Sequence, residues 1–152
     1  MEKTKKILCI SSSGGHWKQL RLLTKNFKQY DLVFVTTDKA YCKALENEHC
    51  EAIPDASRWN KLALIKVAFI ILKKLLKLRP DVVISTGAAP GFLAIFIARQ
   101  LGIKTIWIDS IANVDELSLS GKKARKYADL WLTQWEHLAQ QPDGPHYYGS
   151  IL

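Results

Sequence analysis

Three short runs carry side chains whose types and spacing suit chemistry. Residues 11–16 read SSSGGH and follow a β-branched apolar run. Residues 86–91 read TGAAPG and repeat that arrangement, and Asp109-Ser110 closes a third apolar run. Glycines let backbone N–H groups approach a ligand closely, and a helix N-terminus favours an anion. Ser13, Gly14, Gly15, Thr86, Gly87, Ala88 and Ser110 are therefore candidates to hold a diphosphate between two such turns. His16 stands at the mouth of the first helix, and its imidazole can take a proton near neutral pH, as a general base must. Asp109 could orient His16 or a substrate hydroxyl.

Plainer readings compete with each of these. Gly14-Gly15 also suits a tight turn without a ligand, His16 a solvated first-turn residue, and Asp109 an N-cap. The first run lacks the Gly-Lys-Ser/Thr of a P-loop and the full glycine fingerprint of a dinucleotide site. Asp38 does lie about twenty residues further on, at the end of the next apolar run, which keeps a dinucleotide-dependent enzyme open. His49, His137 and His146 lack comparable settings. No His, Asp or Glu cluster has metal-ligand spacing, so neither a metal nor a bound cofactor is expected.

The elements that must position these runs alternate along the chain. Apolar runs predict strands at 5–10, 31–36, 50–53, 81–85, 103–108 and 129–133. Amphipathic stretches predict helices at 15–27, 39–46, 60–78, 90–101 and 117–127. In the first helix Leu20, Leu22, Leu23 and Phe27 are expected inward. Arg79-Pro80 ends the long helix and Gly102 the next one, while Pro90 suits a first turn. Strands alternating with helices give an α/β fold, a Rossmann-like open parallel sheet with helices on both faces. No internal repeat appears, and 152 residues make one domain, 1–152.

The chain is 48% hydrophobic and 24% charged, which is globular, and 22 Lys+Arg against 14 Asp+Glu leave a formal charge of +8. That excess suggests an anionic neighbour: nucleic acid, an anionic membrane or a phosphorylated substrate. Basic residues spread over three helices without a recognition motif make nucleic acid the weakest of these. Cys9, Cys42 and Cys50 are odd in number and show no Cys-x-x-Cys spacing. They support neither a disulfide framework nor a zinc site, and suggest a reducing, cytoplasmic setting. Cys9 reads as a small core residue.

The stretch 62–78 is unusual. Lys66, Lys73, Lys74 and Lys77 gather on one side, leaving an apolar arc of roughly 220°. A helix lying on a sheet needs little more than about 100°. The surplus suits a lipid surface, with the lysines toward anionic headgroups. The competing reading is a deeply buried helix with one solvated stripe. No run of about 18 apolar residues long enough to span a bilayer is present.

With both turns placed, the order of features resembles the acceptor-side half of GT-B glycosyltransferases. The segments are SSSGGHWKQL at 11–20, RPDVVISTGAAPGFLAIFIARQLGIKTIWIDS at 79–110, YADLWLTQWE at 127–136 and HYYGSIL at 146–152. The likeness is nearest to short PssD-like polysaccharide-biosynthesis proteins. Their eukaryotic counterpart is the membrane-bound subunit of the two-chain N-acetylglucosaminyltransferase of the dolichol pathway. It extends more distantly to MurG, whose single chain carries both the lipid-acceptor half and the UDP-sugar half. MurG has a His-Glu-Gln-Asn run after its fifth strand where this chain reads Ile-Asp-Ser-Ile-Ala-Asn, so Asp109 matches only approximately.

The resemblance implies an inverting, UDP-sugar-dependent hexosyltransferase subunit acting on a polyprenyl-diphosphate-linked saccharide in capsule or exopolysaccharide synthesis. His16 and Asp109 would be its catalytic residues, and a small donor-binding partner chain would supply most UDP-sugar contacts. With no N-terminal membrane span in this sequence, helix 62–78 becomes the expected contact of a protein peripheral on the inner face of the membrane. A non-catalytic adaptor that recruits and stimulates a partner transferase is the alternative.

Overall fold

In a computed structural model describing residues 4–151, the apolar runs pair side by side into one sheet. The elements are β1 (Lys6–Ile10), α1 (Gly15–Thr24), β2 (Asp31–Thr36), α2 (Lys39–Lys43), β3 (His49–Ala52), α3 (Lys61–Leu78) and β4 (Val82–Ser85). They continue as α4 (Ala88–Gln100), β5 (Lys104–Ile108), α5 (Leu119–Ala124), β6 (Leu130–Thr133), α6 (Glu136–Ala139) and β7 (His146–Tyr147). Among the described residues the sheet has seven strands in the order β3-β2-β1-β4-β5-β6-β7. Every pairing is parallel. The expected Rossmann-like architecture is what forms, with α6 and β7 added beyond the last predicted strand.

Side chains alternate across the strands and build two cores. Leu8, Ile10, Val33, Val35, Val83 and Trp107 meet α3 and α4 through Val67, Ile71, Leu75, Ala94, Ile95 and Ala98. Ile7, Cys9, Phe34, Ile84 and Ile108 meet Trp17 and Leu20 of α1 on the other face. Cys9 is the core residue its pattern suggested, and burial pushes its thiol up to about 12.

Local chemistry sets the helix ends. The Asn60 side chain accepts from the Ala63 N–H at 3.0 Å and starts α3, and Arg79, left-handed at φ 46°, stops it. The Asp38 carboxylate accepts from the Ala40 N–H at 2.8 Å, so the acid that kept a dinucleotide reading open is the N-cap of α2. Helix α1 ends at Thr24, and Leu22 points to solvent rather than inward. Two residues at about 100° each put Leu22 some 200° from Leu20, whereas Trp17 and Thr24 share Leu20's side.

The cysteines require a correction. Cys42 and Cys50 form a disulfide, with Cα atoms 5.1 Å apart, and Cys9 is the free thiol among the described residues. The bond exists because α2 is only five residues long and the chain turns straight back into β3. That return is set by the turn, and residue spacing carries no trace of it.

Two predictions follow from this edge of the sheet. Closing a loop with a sequence separation of 8 removes unfolded-state entropy worth about 2–3 kcal/mol. Replacing Cys42 and Cys50 by Ser should lower urea stability by that amount, and reductant should shift the parent protein equally. Glu51 on β3 is held below its ordinary 4.5, first by the hydrogen bond from Lys74 and next by that from His49. A lowered folded value means its contribution is complete above 4.5 and fades as pH falls through the folded value. Melting curves of the parent and Glu51→Gln proteins should therefore differ at neutral pH and converge in acid.

Candidate active site

Strand order reverses between β1 and β4, so the chain leaves their carboxyl ends in opposite directions and opens a crevice there. His16 stands in the first turn of α1 at that crevice. Its Nδ1 lies 2.9 Å from the carbonyl oxygen of Thr86, which follows β4. A carbonyl only accepts, so Nδ1 carries the hydrogen, and in the neutral ring Nε2 keeps its lone pair. Among the described residues no group bonds to Nε2. The Thr86 hydroxyl in turn donates to the His16 carbonyl at 2.7 Å, so two reciprocal bonds clamp the residue.

Gly87 makes room for the ring. A Cβ there would lie 2.3 Å from His16 Nδ1, and its φ of 144° disfavours any side chain. The next residue, Ala88, is held at φ 65°, which costs a non-glycine residue about 1–2 kcal/mol. The turn after β4 thus spends backbone strain beside the imidazole.

The other expected anion contacts divide. No side chain caps α1 or α4, so their first-turn amides have no side-chain acceptor. At Gly15 a Cβ would meet nothing within 4 Å, which leaves open space over the start of α1. The Ser13 amide, however, donates to the Thr37 hydroxyl at 3.0 Å and the Gly87 amide to the Ser85 hydroxyl at 3.2 Å. These two amides are therefore not offered to a ligand.

Asp109 and Ser110 are built into the scaffold. Asp109, 1% exposed, accepts from Trp107 Nε1 (3.1 Å), Asn113 Nδ2 (3.0 Å), the Ser118 N–H (2.9 Å) and the Ser118 hydroxyl (2.6 Å). None of those donors belongs to His16, so the expected direct link between the two residues does not form. The carboxylate instead pins the loop 109–118, and Gly121 packs where a Cβ would strike it at 2.4 Å. Ser110 Oγ accepts from Gln19 Nε2 at 2.9 Å and from the Ala112 N–H at 3.2 Å.

Sequence reasoning passed over two buried amides. Gln19, three residues beyond His16, accepts from the Ile111 N–H at 3.3 Å and from Gln134 Nε2 at 2.9 Å. Gln134 Nε2 also donates to the Asp109 carbonyl at 3.1 Å, and its oxygen accepts from the Ile151 N–H at 3.3 Å. One polar chain therefore joins α1, the loop after β5, the end of β6 and the tail. The available signal was a Gln between Trp17 and Leu20 on the inward arc of the helix.

Of the four lysines expected in the cationic stripe, Lys66, Lys73 and Lys77 are exposed, but Lys74 turns to an ion pair with Glu51 of β3 and leaves it. A second apolar stripe runs along α3 opposite Val67, Ile71 and Leu75. Leu62, Ile65, Phe69 and Leu76 are exposed there beside Trp59, with Trp59 and Leu62 each 80% exposed. No helix among the described residues is long and apolar enough to cross a membrane.

A family model described as "Oligosaccharide biosynthesis protein Alg14 like" matches residues 7–151. The chain belongs to the Alg14-like family. A protein of Yarrowia lipolytica named UDP-N-acetylglucosamine transferase subunit ALG14 is 31% identical over 97% of this chain and 81% of its own. Its Candida albicans namesake is 37% identical over a shorter stretch, 51% of this chain and 38% of that protein. Among solved structures, MurG of Acinetobacter baumannii superposes with a TM-score of 0.71 at 15% identity, over 96% of this chain and 44% of MurG. At that identity the likeness is one of fold, and the Alg14-like chain spans less than half of that enzyme.

The clamp has a direct test. In nitrogen-detected NMR, neutral His16 should show the Nδ1–H tautomer, and Gly87→Ala should abolish that preference by driving Cβ into the ring. Asp109→Ala would strand four buried or half-buried donors, and should cost about 2–4 kcal/mol in urea unfolding.

Proposed function

We propose that this Alg14-like chain, 1–152, is the acceptor-binding subunit of a two-chain, inverting UDP-sugar glycosyltransferase. Its acceptor is a polyprenyl-diphosphate-linked saccharide, and a separate donor-binding chain closes the crevice and holds most of the UDP-sugar. The observation that carries this reading is the free Nε2 of His16, with its tautomer set by the Thr86 carbonyl at 2.9 Å. The relatives' name, UDP-N-acetylglucosamine transferase subunit, makes UDP-N-acetylglucosamine the first donor to try. The resemblance to PssD-like proteins is what supports an acceptor of capsule or exopolysaccharide assembly.

In the proposed reaction, His16 Nε2 removes the proton of the acceptor hydroxyl as that oxygen attacks the donor's anomeric carbon. The new glycosidic bond forms as the bond to UDP breaks, UDP leaves with the electron pair, and configuration inverts. The proton stays on Nε2 until solvent takes it. The uncapped starts of α1 and α4, with the Ser13 hydroxyl, Gly14, Gly15 and Ala88, receive the acceptor's diphosphate. Thr86, Gly87, Asp109 and Ser110 act as positioning residues, because the structure commits them to His16 or to the 109–118 loop.

The two-sided α3 supplies the membrane contact. Its exposed stripe enters the headgroup boundary, and Lys66, Lys73 and Lys77 border it on one side and face anionic lipid. One specific observation favours a second reading, a non-catalytic membrane adaptor. The acid nearest the expected catalytic position, Asp109, is fully engaged in holding its loop.

Turnover separates the two readings. With a co-purified donor-binding chain, His16→Ala should lower kcat by about 100-fold or more while the complex stays intact. Unchanged turnover would leave the adaptor reading. Sedimentation with phosphatidylglycerol vesicles should fall at least tenfold when Lys66, Lys73 and Lys77 become Glu, and Phe69→Asp should weaken it even at low salt.

A further inference from the structure

An open groove of about 1040 Å³ runs beside α1, on the sheet face opposite α3. It exists because α1 and α2 cover the same face, as the stacking of Trp17 on Tyr41 shows (centroids 5.6 Å apart, planes 3° apart), and α2 has only five residues. A longer helix there would lie over β2 and β3. Its place is left to an apolar floor of Trp17, Leu22, Phe27, Leu32 and Tyr41, with Leu22 49% exposed.

The rim is basic and unbalanced. Arg21 is neutralised by a bidentate pair with Glu48 at 2.6 and 2.7 Å, and Asp31 pairs with Lys6 at 3.8 Å. Lys18, Lys25 and Lys28 line the same groove, and none of them pairs with a carboxylate among the described residues. Three free cations above an apolar floor call for an occupant with an apolar face and carboxylates beside it. The lining follows the chain from Trp17 to Lys28, alongside α1 from Trp17 to its end, a length of about 12 Å or a little over two helical turns.

From this we infer that the groove receives an acidic amphipathic helix of a partner protein. A second copy of the chain does not fit. Its long exposed apolar stripe lies on α3, where Lys66, Lys73 and Lys77 would be set against Lys18, Lys25 and Lys28. A lipid surface does not fit the proposed membrane contact of α3, on which this exclusion rests: the whole sheet separates the groove from α3, so a bilayer against α3 cannot reach it. The docking helix therefore comes from the aqueous side. This surface is independent of the transferase reading, because binding here requires no turnover.

The test uses the full chain in its host, with photoreactive p-benzoylphenylalanine in place of Leu22 and, in a second variant, of the exposed rim residue Lys25. Crosslinked segments are identified by mass spectrometry, synthesised and titrated by fluorescence anisotropy. The expected result is a single segment from one other protein, helical and rich in Asp and Glu beside its apolar face. Its Kd should rise at least tenfold in the Lys18→Glu/Lys25→Glu/Lys28→Glu chain and stay unchanged in the Lys66→Glu/Lys73→Glu/Lys77→Glu chain, with both variants checked for native melting. Crosslinks to lipid, to the chain itself, to scattered proteins or to nothing would overturn the inference. So would a Kd indifferent to charge reversal at the rim.

Discussion

The pair of hydrogen bonds between His16 and Thr86 is the constraint around which the site is arranged. It spans the one place in the sheet where neighbouring strands send their connections apart, and it fixes both ends of that opening at once. The consequences spread outward from it. The ring needs the space that a side chain at residue 87 would fill, and the turn that creates this space forces Ala88 into a left-handed conformation. Strain of this kind persists only where the surroundings over-determine it. Here the buried Thr86 and the buried strand behind it do so.

A second layer holds the first. The carboxylate of Asp109, the amides of Gln19 and Gln134 and the Ser110 hydroxyl form a buried polar cluster with nearly every lone pair and hydrogen in use. Such clusters are costly when incomplete and rigid when complete. This one fastens α1 to the loop after β5, with Trp135 Nε1 holding the Ile111 carbonyl at 2.8 Å and His137 Nε2 the Val114 carbonyl at 2.6 Å from the far side. A loop of ten residues without regular structure is thereby tied down by hydrogen bonds along its length.

Much of this was legible in the sequence because its causes are local. Alternating apolar runs specify strands, Asn60 and Arg79-Pro80 mark a helix start and stop, and the residues between strand and helix fall at one sheet edge in any parallel fold. The two turns and His16 were found by that logic. Partnerships decided by the third dimension were not legible. The bond that sets the His16 tautomer goes to the backbone carbonyl of Thr86, which has no side-chain identity to notice. Cys42 and Cys50 pair through the tightness of a turn, and Lys74 leaves its row of lysines because Glu51 lies beneath it. Asp109 had the right residue type in the right place, but only the surrounding donors reveal that it serves the loop.

The direction of α3 has a further consequence. Because it follows β3 and leads into the parallel β4, it runs back across the sheet, and its first turn lies at the same edge as the crevice. Trp59 and Leu62, the most exposed large apolar side chains of that helix region, thus sit at the crevice end. A surface met by α3 would be met first beside the opening and last at Leu76. The opening would then lie level with the boundary between lipid and water. A ligand tethered in that plane would enter by sliding sideways, with no need to be lifted out of it.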